Sequence, residues 1–216
     1  MGKQVVVIGL GRFGATIARE AAVIGHDVLA IDRDERAVEA LKGEVAHAVR
    51  ADATELEALE QLGLKSFPVG IVAIGSNQLA NIMVTMHLIA LGVRNVVSRA
   101  NSEVHARILE RLGATRVVQP ERETGVRVAH TFAAPNVLEY LDLTPDHGVS
   151  KLRAPSSMIG KTLSDSRLSS QFGLTVLLLV RGLEIVVNPT SFTEIKNGDT
   201  LVVVGEDEQL EKVRSL

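Results

Sequence analysis

The sequence predicts an α/β fold, namely a Rossmann-like doubly wound parallel sheet with a small C-terminal α+β lobe. Apolar strand patterns alternate with helical patterns over about the first 130 residues, which is typical of a doubly wound sheet. The first strand pattern, residues 5–8 (VVVI), leads directly into glycines spaced G-x-G-x-x-G at Gly9, Gly11 and Gly14. Beyond residue 148 the patterns shorten to strands and turns, which predicts a separate lobe.

The composition narrows the class of protein. The 216 residues, 46% of them hydrophobic, are enough for a full core. The formal net charge of −3 and the lack of basic runs give no reason to expect nucleic acid as a partner. The sequence contains no cysteine, which excludes disulfides, thiolate metal sites and cysteine nucleophiles. The longest apolar run near the C-terminus, residues 176–180, is too short for a membrane helix, and the N-terminus lacks a signal-peptide layout, so we expect neither a span nor a leader.

The glycine loop predicts a phosphate site between the first strand and the helix at residues 15–24. Gly9 allows a tight turn, Gly11 lets the backbone approach a pyrophosphate, and Gly14 lets helix and strand pack closely. The second strand, residues 26–32, ends in Asp32, close to the ~20-residue spacing at which an acid binds a ribose 2′-hydroxyl. The alternative is a structural turn in which Asp32 is only a loop acid or a helix cap.

The other N-terminal elements follow in alternation. A T-x-x-E capping box, Thr54 and Glu57, predicts the start of one helix, and Asn77 and Ser102 are expected to cap two more. The predicted elements are helix 35–41, strand 46–50, the helix after residue 53, strand 70–74, helix 79–91, strand 95–99, helix 103–112, strand 116–119 and helix 120–132. This order brings Asp52, Asn77 and Arg99 to the carboxyl edge of the sheet, where ligands bind in this architecture.

Helix 79–91 is more apolar than one buried face requires. We expect the apolar residues that recur at helical spacing to face the core, and the surplus apolar residues to form a subunit interface. The core stripe consists of Leu79, Ile82, Met83, Met86 and Ala90, and the surplus of Val84 and Leu88.

The domain organisation follows from the change of pattern. We expect residues 1–134 to form the nucleotide-binding domain, residues 135–148 a crossover helix or linker, and residues 149–216 the lobe. Within the lobe the predicted elements are strand 149–154, helix 162–172 opened by a T-x-x-D cap, a hairpin of strands 174–181 and 184–187, and strand 201–204.

Four motifs carry a resemblance to a known family: VVVIGLGRFG, ADATE at residues 51–55, VAIGSN at 72–77 and VVQPERETG at 117–125. With them, nearly the whole chain resembles the RCK (regulator of potassium conductance) family, specifically the cytosolic subunits of Ktr-type potassium uptake systems, relatives of the Trk subunits. The resemblance implies a regulatory subunit, not an enzyme, which assembles from dimers into an octameric ring on the cytoplasmic face of a membrane potassium channel. It also implies that ATP and ADP favour different ring conformations.

The resemblance further implies the residues of the nucleotide site. They are Gly9, Gly11, Arg12, Phe13, Gly14, Asp32, Arg33, Asp52, Ala53, Ile74, Gly75, Asn77 and Arg99. Arg12 and Arg99 would face phosphates, Asp32 the ribose, and Asp52 with Ala53 the adenine. Glu121 would hold a divalent cation together with ATP.

Three questions stay open at the level of sequence. An NAD-dependent oxidoreductase would fit the first fifty residues. However, the residue four positions after Tyr140 is Thr144, so the Tyr-x-x-x-Lys pair of short-chain dehydrogenases is missing. The preferred nucleotide is ATP, ADP or NAD(H); NADPH fits least, since Asp32 would repel its 2′-phosphate even with Arg33 nearby. The resemblance also implies that the lobe can bind cyclic di-AMP at a subunit interface, in the region of Leu163, Arg167 and Pro189; the alternative is that Arg167 is a solvated helix charge and Pro189 a turn residue.

Overall fold

The computed structural model describes residues 2–132, 136–144 and 146–214, without the side chains of His130 and Arg214. Two compact units divide the chain, residues 1–121 and residues 122–216. The first contains β1 (Gln4–Ile8), α1 (Arg12–Val23), β2 (Asp27–Asp32), α2 (Glu35–Glu39), β3 (His47–Arg50), α3 (Leu56–Gln61), β4 (Val69–Val72), α4 (Gln78–Ala90), β5 (Asn95–Arg99), α5 (Glu103–Leu112) and β6 (Arg116–Val118). Helix α6 (Pro120–Phe132) begins at the end of this unit.

The six strands of the first unit form one parallel sheet in the order β3-β2-β1-β4-β5-β6. The chain moves outward from β1 in one direction and then continues from β4 in the other. The carboxyl ends of β1 and β4 therefore flank a topological switch point, where ligands bind in open α/β sheets. The predicted Rossmann-like fold class is confirmed.

Both faces of this sheet are buried, which explains the continuous apolar strands. Val6 and Ile8 pack on one face with residues of α3 and α4, while Val5 and Val7 pack on the other with residues of α1 and α2. Successive strand residues point to opposite faces, so a strand covered on both sides needs apolar residues throughout.

The second unit contains most of α6 and, in its described residues, an antiparallel sheet in the order β10-β9-β11-β8-β7. Its elements are β7 (Val137–Thr144), β8 (His147–Arg153), α7 (Leu168–Phe172), β9 (Thr175–Arg181), β10 (Glu184–Val187), β11 (Thr200–Glu206) and α8 (Asp207–Arg214). Tyr140 lies in its core, and the Tyr140 hydroxyl donates a hydrogen bond of 2.6 Å to Asp207 Oδ1.

The crossover helix or linker expected at residues 135–148 is wrong for the described part of that segment, because Val137–Thr144 is the edge strand β7. The register of β7 against β8 shifts between Val137 and Glu139. This bulge turns both Val137 and Tyr140 inward, three residues apart. That spacing imitates the buried face of a helix, which is why the sequence pattern misled.

Two other local predictions are also wrong. On α4 the buried residues are Asn81, Val84, Thr85 and Leu88, whereas Leu79 is 66% exposed and Met86 46% exposed. The predicted helix 162–172 is reduced to α7, because Arg167 adopts a left-handed conformation (φ 58°) that ends the preceding turn. Thr162 and Asp165 do hydrogen-bond to each other, at 2.7 Å, within that turn.

Candidate functional site

The glycine loop has the geometry that its spacing predicts. Gly9 has a φ of +93°, a conformation that favours glycine. A Cβ on Gly14 would run into the Gly9 carbonyl oxygen, so glycine at 14 is what brings α1 against the loop. A Cβ on Gly11 would meet no described atom within 4 Å. Gly11 is the N-cap of α1 and leaves open space at the start of the helix. Because glycine has no side chain, it does not cap the first-turn N–H groups of α1.

Asp32 closes the loop from the side of β2. Its Oδ2 accepts a hydrogen bond of 2.6 Å from the backbone N–H of Leu10, and its Oδ1 accepts one of 2.9 Å from Asp34. A carboxylate has about four lone-pair sites, so two such bonds leave capacity for a ligand hydroxyl. Asp32 thus fixes the loop and still presents an acceptor at the cavity.

Asp52, at the end of β3, is held as a carboxylate. Its Oδ1 accepts hydrogen bonds from the Thr54 hydroxyl (2.6 Å) and the Thr54 backbone N–H (3.0 Å). These bonds, the hydroxyl first, lower the pKa of Asp52 below its usual value. Burial opposes them with a smaller rise, and the charge of Arg33 adds the smallest lowering effect. The predicted capping box is wrong, because the Thr54 hydroxyl binds Asp52 and the N-cap of α3 is Glu55.

Arg99 occupies the opposite side, at the end of β5. Its guanidinium forms an ion pair with Glu121 and lies 5.8 Å from the centroid of the Phe13 ring. A Cβ on Gly75 would collide with the guanidinium, so glycine at 75 makes room for it. Arg99 Nε is buried and has no hydrogen-bond partner among the described residues. A half-buried cation with an unused donor fits an anion that approaches from the cavity.

Asn77 caps α4 as predicted, since its side chain accepts a hydrogen bond of 3.1 Å from the Ala80 N–H. Sequence reasoning missed Asn81, whose buried side chain donates to the carbonyls of Ile74 and Arg99. The signal in the sequence was Asn81 and Thr85, polar residues four apart in the middle of a mostly apolar helix.

These residues surround one cavity of about 660 Å³ at the carboxyl edge of the parallel sheet. The lining includes every residue proposed for the site except Gly14, which packs behind the loop. It comprises Ile8, Gly9, Gly11, Arg12, Phe13, Asp32, Arg33, Ala51, Asp52, Ala53, Thr54, Ala73, Ile74, Gly75, Ser76, Asn77, Ala80, Arg99 and Glu121. The cavity combines open backbone donors and three arginines with three acids, which suits a phosphate-bearing ligand with a sugar and a base.

Metal binding at Glu121 stays a prediction. Within the described ranges, no three His, Asp or Glu side chains come together as a metal site. A magnesium ion is commonly held by one or two carboxylates together with phosphate oxygens, so Glu121 fits such an ion only when a nucleotide supplies further ligands.

The cyclic di-AMP positions lie in the second unit. The Leu163 N–H donates to the Thr193 carbonyl at 2.9 Å, while Arg167 is exposed.

In the described part of the chain, no helix is long and apolar enough to cross a bilayer.

The fold and the site together define a nucleotide-binding domain of the TrkA-N type, and residues 5–120 match the family model described as the TrkA-N domain. Residues 150–216 match that of the TrkA-C domain. The chain belongs to the family of the Ktr system potassium uptake proteins. It is 38% identical to Ktr system potassium uptake protein C of Bacillus subtilis (strain 168), over 95% of this chain and 93% of that protein. It is 37% identical to Ktr system potassium uptake protein A of Vibrio alginolyticus, over 99% and 98%.

Solved structures agree on the fold. The GsuK RCK domain superposes over 100% of this chain and 48% of its own with a TM-score of 0.69 at 16% identity. The GsuK channel bound to NAD matches 98% of this chain and 38% of its own, with a TM-score of 0.54 and 25% identity. This chain thus spans less than half the length of those structures, but nearly the full length of the Ktr proteins.

Proposed function

We propose that this chain is the nucleotide-binding regulatory subunit of a potassium uptake system and that it binds ATP and ADP in the cavity of the first unit. The observation that carries this proposal is the cavity at the switch point of the sheet. Gly11, which has open space around it, lines this cavity together with Asp32 and Arg99. Membership of the Ktr family supports the link to potassium uptake.

The lining residues suggest how the ligand lies. The diphosphate would bind over Gly11 on the first-turn N–H groups of α1, with Arg12 beside it. The ribose hydroxyls would donate to Asp32, and the adenine would lie near Asp52 and Ala53. NAD(H) would place its adenosine half in the same way, and the GsuK channel bound to NAD supports keeping it as an alternative.

ATP and ADP would differ at Arg99. A γ-phosphate adds negative charge that competes with Glu121 for the Arg99 guanidinium, and a released Glu121 would be free to bind a divalent cation. A ligand shifts a conformational equilibrium only by its difference in affinity for the two states. The charge redistribution at Arg99 provides such a difference between the nucleotides.

The same proposal includes assembly. The chain would form dimers and an octameric ring, which associates with a membrane potassium channel subunit on the cytoplasmic face. Exposed apolar side chains on the outer sides of α4 and α5 support an interface between copies; these are Leu79, Met86, Val104 and Ile108.

Isothermal titration of the full chain with ATP, ADP, NADH and NADPH tests the binding proposal. We expect ATP and ADP to bind at one per chain and NADPH to bind least. Small-angle scattering in each nucleotide then tests switching, and identical profiles in ATP and ADP would contradict it. Consumption of bound NADH with a candidate substrate would support the oxidoreductase alternative instead.

Cyclic di-AMP binding by the second unit is a separate proposal. Titration of the full wild-type chain and of its Arg167→Ala variant with cyclic di-AMP tests it. Binding that depends on Arg167 would support a site near Leu163, Arg167 and Pro189, and the absence of binding would contradict it.

A further inference from the structure

The buried Asn81 side chain connects the two strand ends that form one wall of the cavity. Its Nδ2 donates to the Ile74 carbonyl at 2.9 Å and to the Arg99 carbonyl at 3.1 Å. Ile74 and Arg99 both line the cavity, whereas Asn81 is not among the lining residues. A single amide on α4 therefore bridges the loop just after β4 and the last residue of β5, beyond the last paired residues of the two strands.

A polar network fixes the orientation of this amide. The Ser98 hydroxyl donates to Asn81 Oδ1 at 3.0 Å, which turns Asn81 Nδ2 toward the two carbonyls. The Thr85 hydroxyl lies 2.9 Å from Ser98 Oγ and donates to the Asn81 carbonyl at 2.8 Å. All three residues are fully buried. A buried network is costly to leave incomplete, so these contacts make the amide position rigid.

We propose that Asn81 is a positioning residue for nucleotide binding. It touches no ligand, and it holds the Ile74–Gly75 backbone and Arg99 at the spacing that the nucleotide requires. Asn101, two residues after β5, supports the same loop, because its Nδ2 donates to the Gly75 carbonyl at 2.5 Å. This inference rests on the proposed nucleotide function and adds a residue outside the cavity lining to it.

Asn81→Asp and Thr85→Val, made in the full chain, form a matched pair for the test. Asn81→Asp keeps the shape of the side chain but removes the NH₂ group that binds both carbonyls. Thr85→Val removes a hydroxyl from the same network without touching Ile74 or Arg99. By calorimetry with ADP, we expect Asn81→Asp to raise Kd at least about tenfold and Thr85→Val to change it by less than about twofold, even where both lower Tm.

A pH profile separates positioning from a general loss of stability. At low pH the introduced carboxyl is protonated and donates to one carbonyl, whereas at high pH its charge repels both. The ADP affinity of Asn81→Asp relative to wild type should therefore fall as pH rises, and that of Thr85→Val should stay constant. Unchanged affinity in Asn81→Asp, or an equal loss in Thr85→Val, overturns the inference.

Failure of the proposed function gives a different result, since the wild-type chain would then bind no ADP. If Asn81→Asp does not fold, Ser98→Ala serves instead, because it removes only the hydroxyl that orients the amide. We expect Ser98→Ala to raise the ADP Kd about threefold, and an unchanged Kd would overturn the inference as well.

Discussion

The Arg99 guanidinium pairs with the Glu121 carboxylate at the edge of the cavity, although 22 residues separate them in the chain. Arg99 ends β5 and Glu121 follows β6, and these strands are neighbours in the sheet. The pair brings a cation and an acid to the place where we propose terminal phosphates and a divalent cation to bind. It is the strongest candidate for telling ATP from ADP.

Glu121→Gln tests this role. The change keeps the shape of the side chain, removes the charge that competes for Arg99, and removes the proposed cation ligand. We expect ADP affinity to stay equal or rise. The factor by which magnesium increases ATP affinity should fall by about tenfold. Calorimetry with and without magnesium measures both effects.

Glu35→Gln is the control, because Glu35 forms an exposed ion pair with Arg50 and does not line the cavity. An unaltered magnesium dependence in Glu121→Gln would contradict the cation role.

Gly11→Ala should separate binding from folding. The new methyl meets no described atom within 4 Å and Gly11 has an ordinary φ of −63°, so the change costs less than about 1 kcal/mol of stability. The methyl would nevertheless occupy the proposed phosphate position. We expect Kd for ADP to rise at least about tenfold. Gly125→Ala, within α6 and also without a described neighbour at 4 Å, is the control that should leave Kd unchanged.

The sequence predicted this loop because its requirements are local. A positive φ at Gly9 and close packing at Gly14 depend on residues only a few positions apart, and the spacing of the glycines records them. The ends of β2, β3 and β5 were likewise predicted, at Asp32, Arg50 and Arg99, whereas β4 ends at Val72, two residues before its predicted end.

The inner face of α4 was not predictable from hydrophobic periodicity. Asn81 and Thr85 are buried there because they bind Ser98 and the carbonyls of Ile74 and Arg99. Those partners become neighbours only in the folded sheet. The periodicity rule instead assigned Leu79 and Met86 to the core. In β7 the bulge after Val137 produced a helical spacing in a strand, a feature that depends on the register against β8.

Gly14→Ala should destabilise the first unit. The methyl would be placed against the Gly9 carbonyl oxygen and 2.9 Å from Ala73 Cβ, so α1 must move away from the sheet. We expect a loss of about 1–3 kcal/mol, seen as a Tm lower by several degrees. Thermal unfolding followed by circular dichroism checks this, and a Tm equal to that of Gly11→Ala would contradict the packing role.

Leu79→Lys tests the proposed contact between copies. Leu79 is 66% exposed on α4, so a lysine there should not disturb the fold of one chain but should oppose burial against another. We expect light scattering after size exclusion to show a smaller assembly than for wild type. Val23→Lys, at a 79% exposed position on α1, is the matched control. An assembly of unchanged size would exclude this surface as an interface.

Asp199→Asn should alter the acid stability of the second unit. Asp199 is fully buried, and its two oxygens accept hydrogen bonds of 2.8 and 2.7 Å from Arg181. The hydrogen bonds from Arg181 are the main reason that the pKa of Asp199 lies below its usual value. Burial opposes this effect, and the hydrogen bond from the Lys196 N–H adds to it. A lowered folded pKa means that the stabilisation is complete above the unfolded pKa of about 3.9 and is lost as pH falls through the folded value.

Asp199→Asn should therefore cost about 1–3 kcal/mol at neutral pH, and the difference from wild type should shrink as the pH falls below about 4. Tyr140, the single tyrosine in a chain without tryptophan, is buried in the core of this unit, so its fluorescence reports unfolding there. Denaturant titrations at several pH values measure the difference. Asp165→Asn, at an exposed turn of the same unit, is the control, and a pH-independent difference would contradict the pairing of Asp199 with Arg181 as its cause.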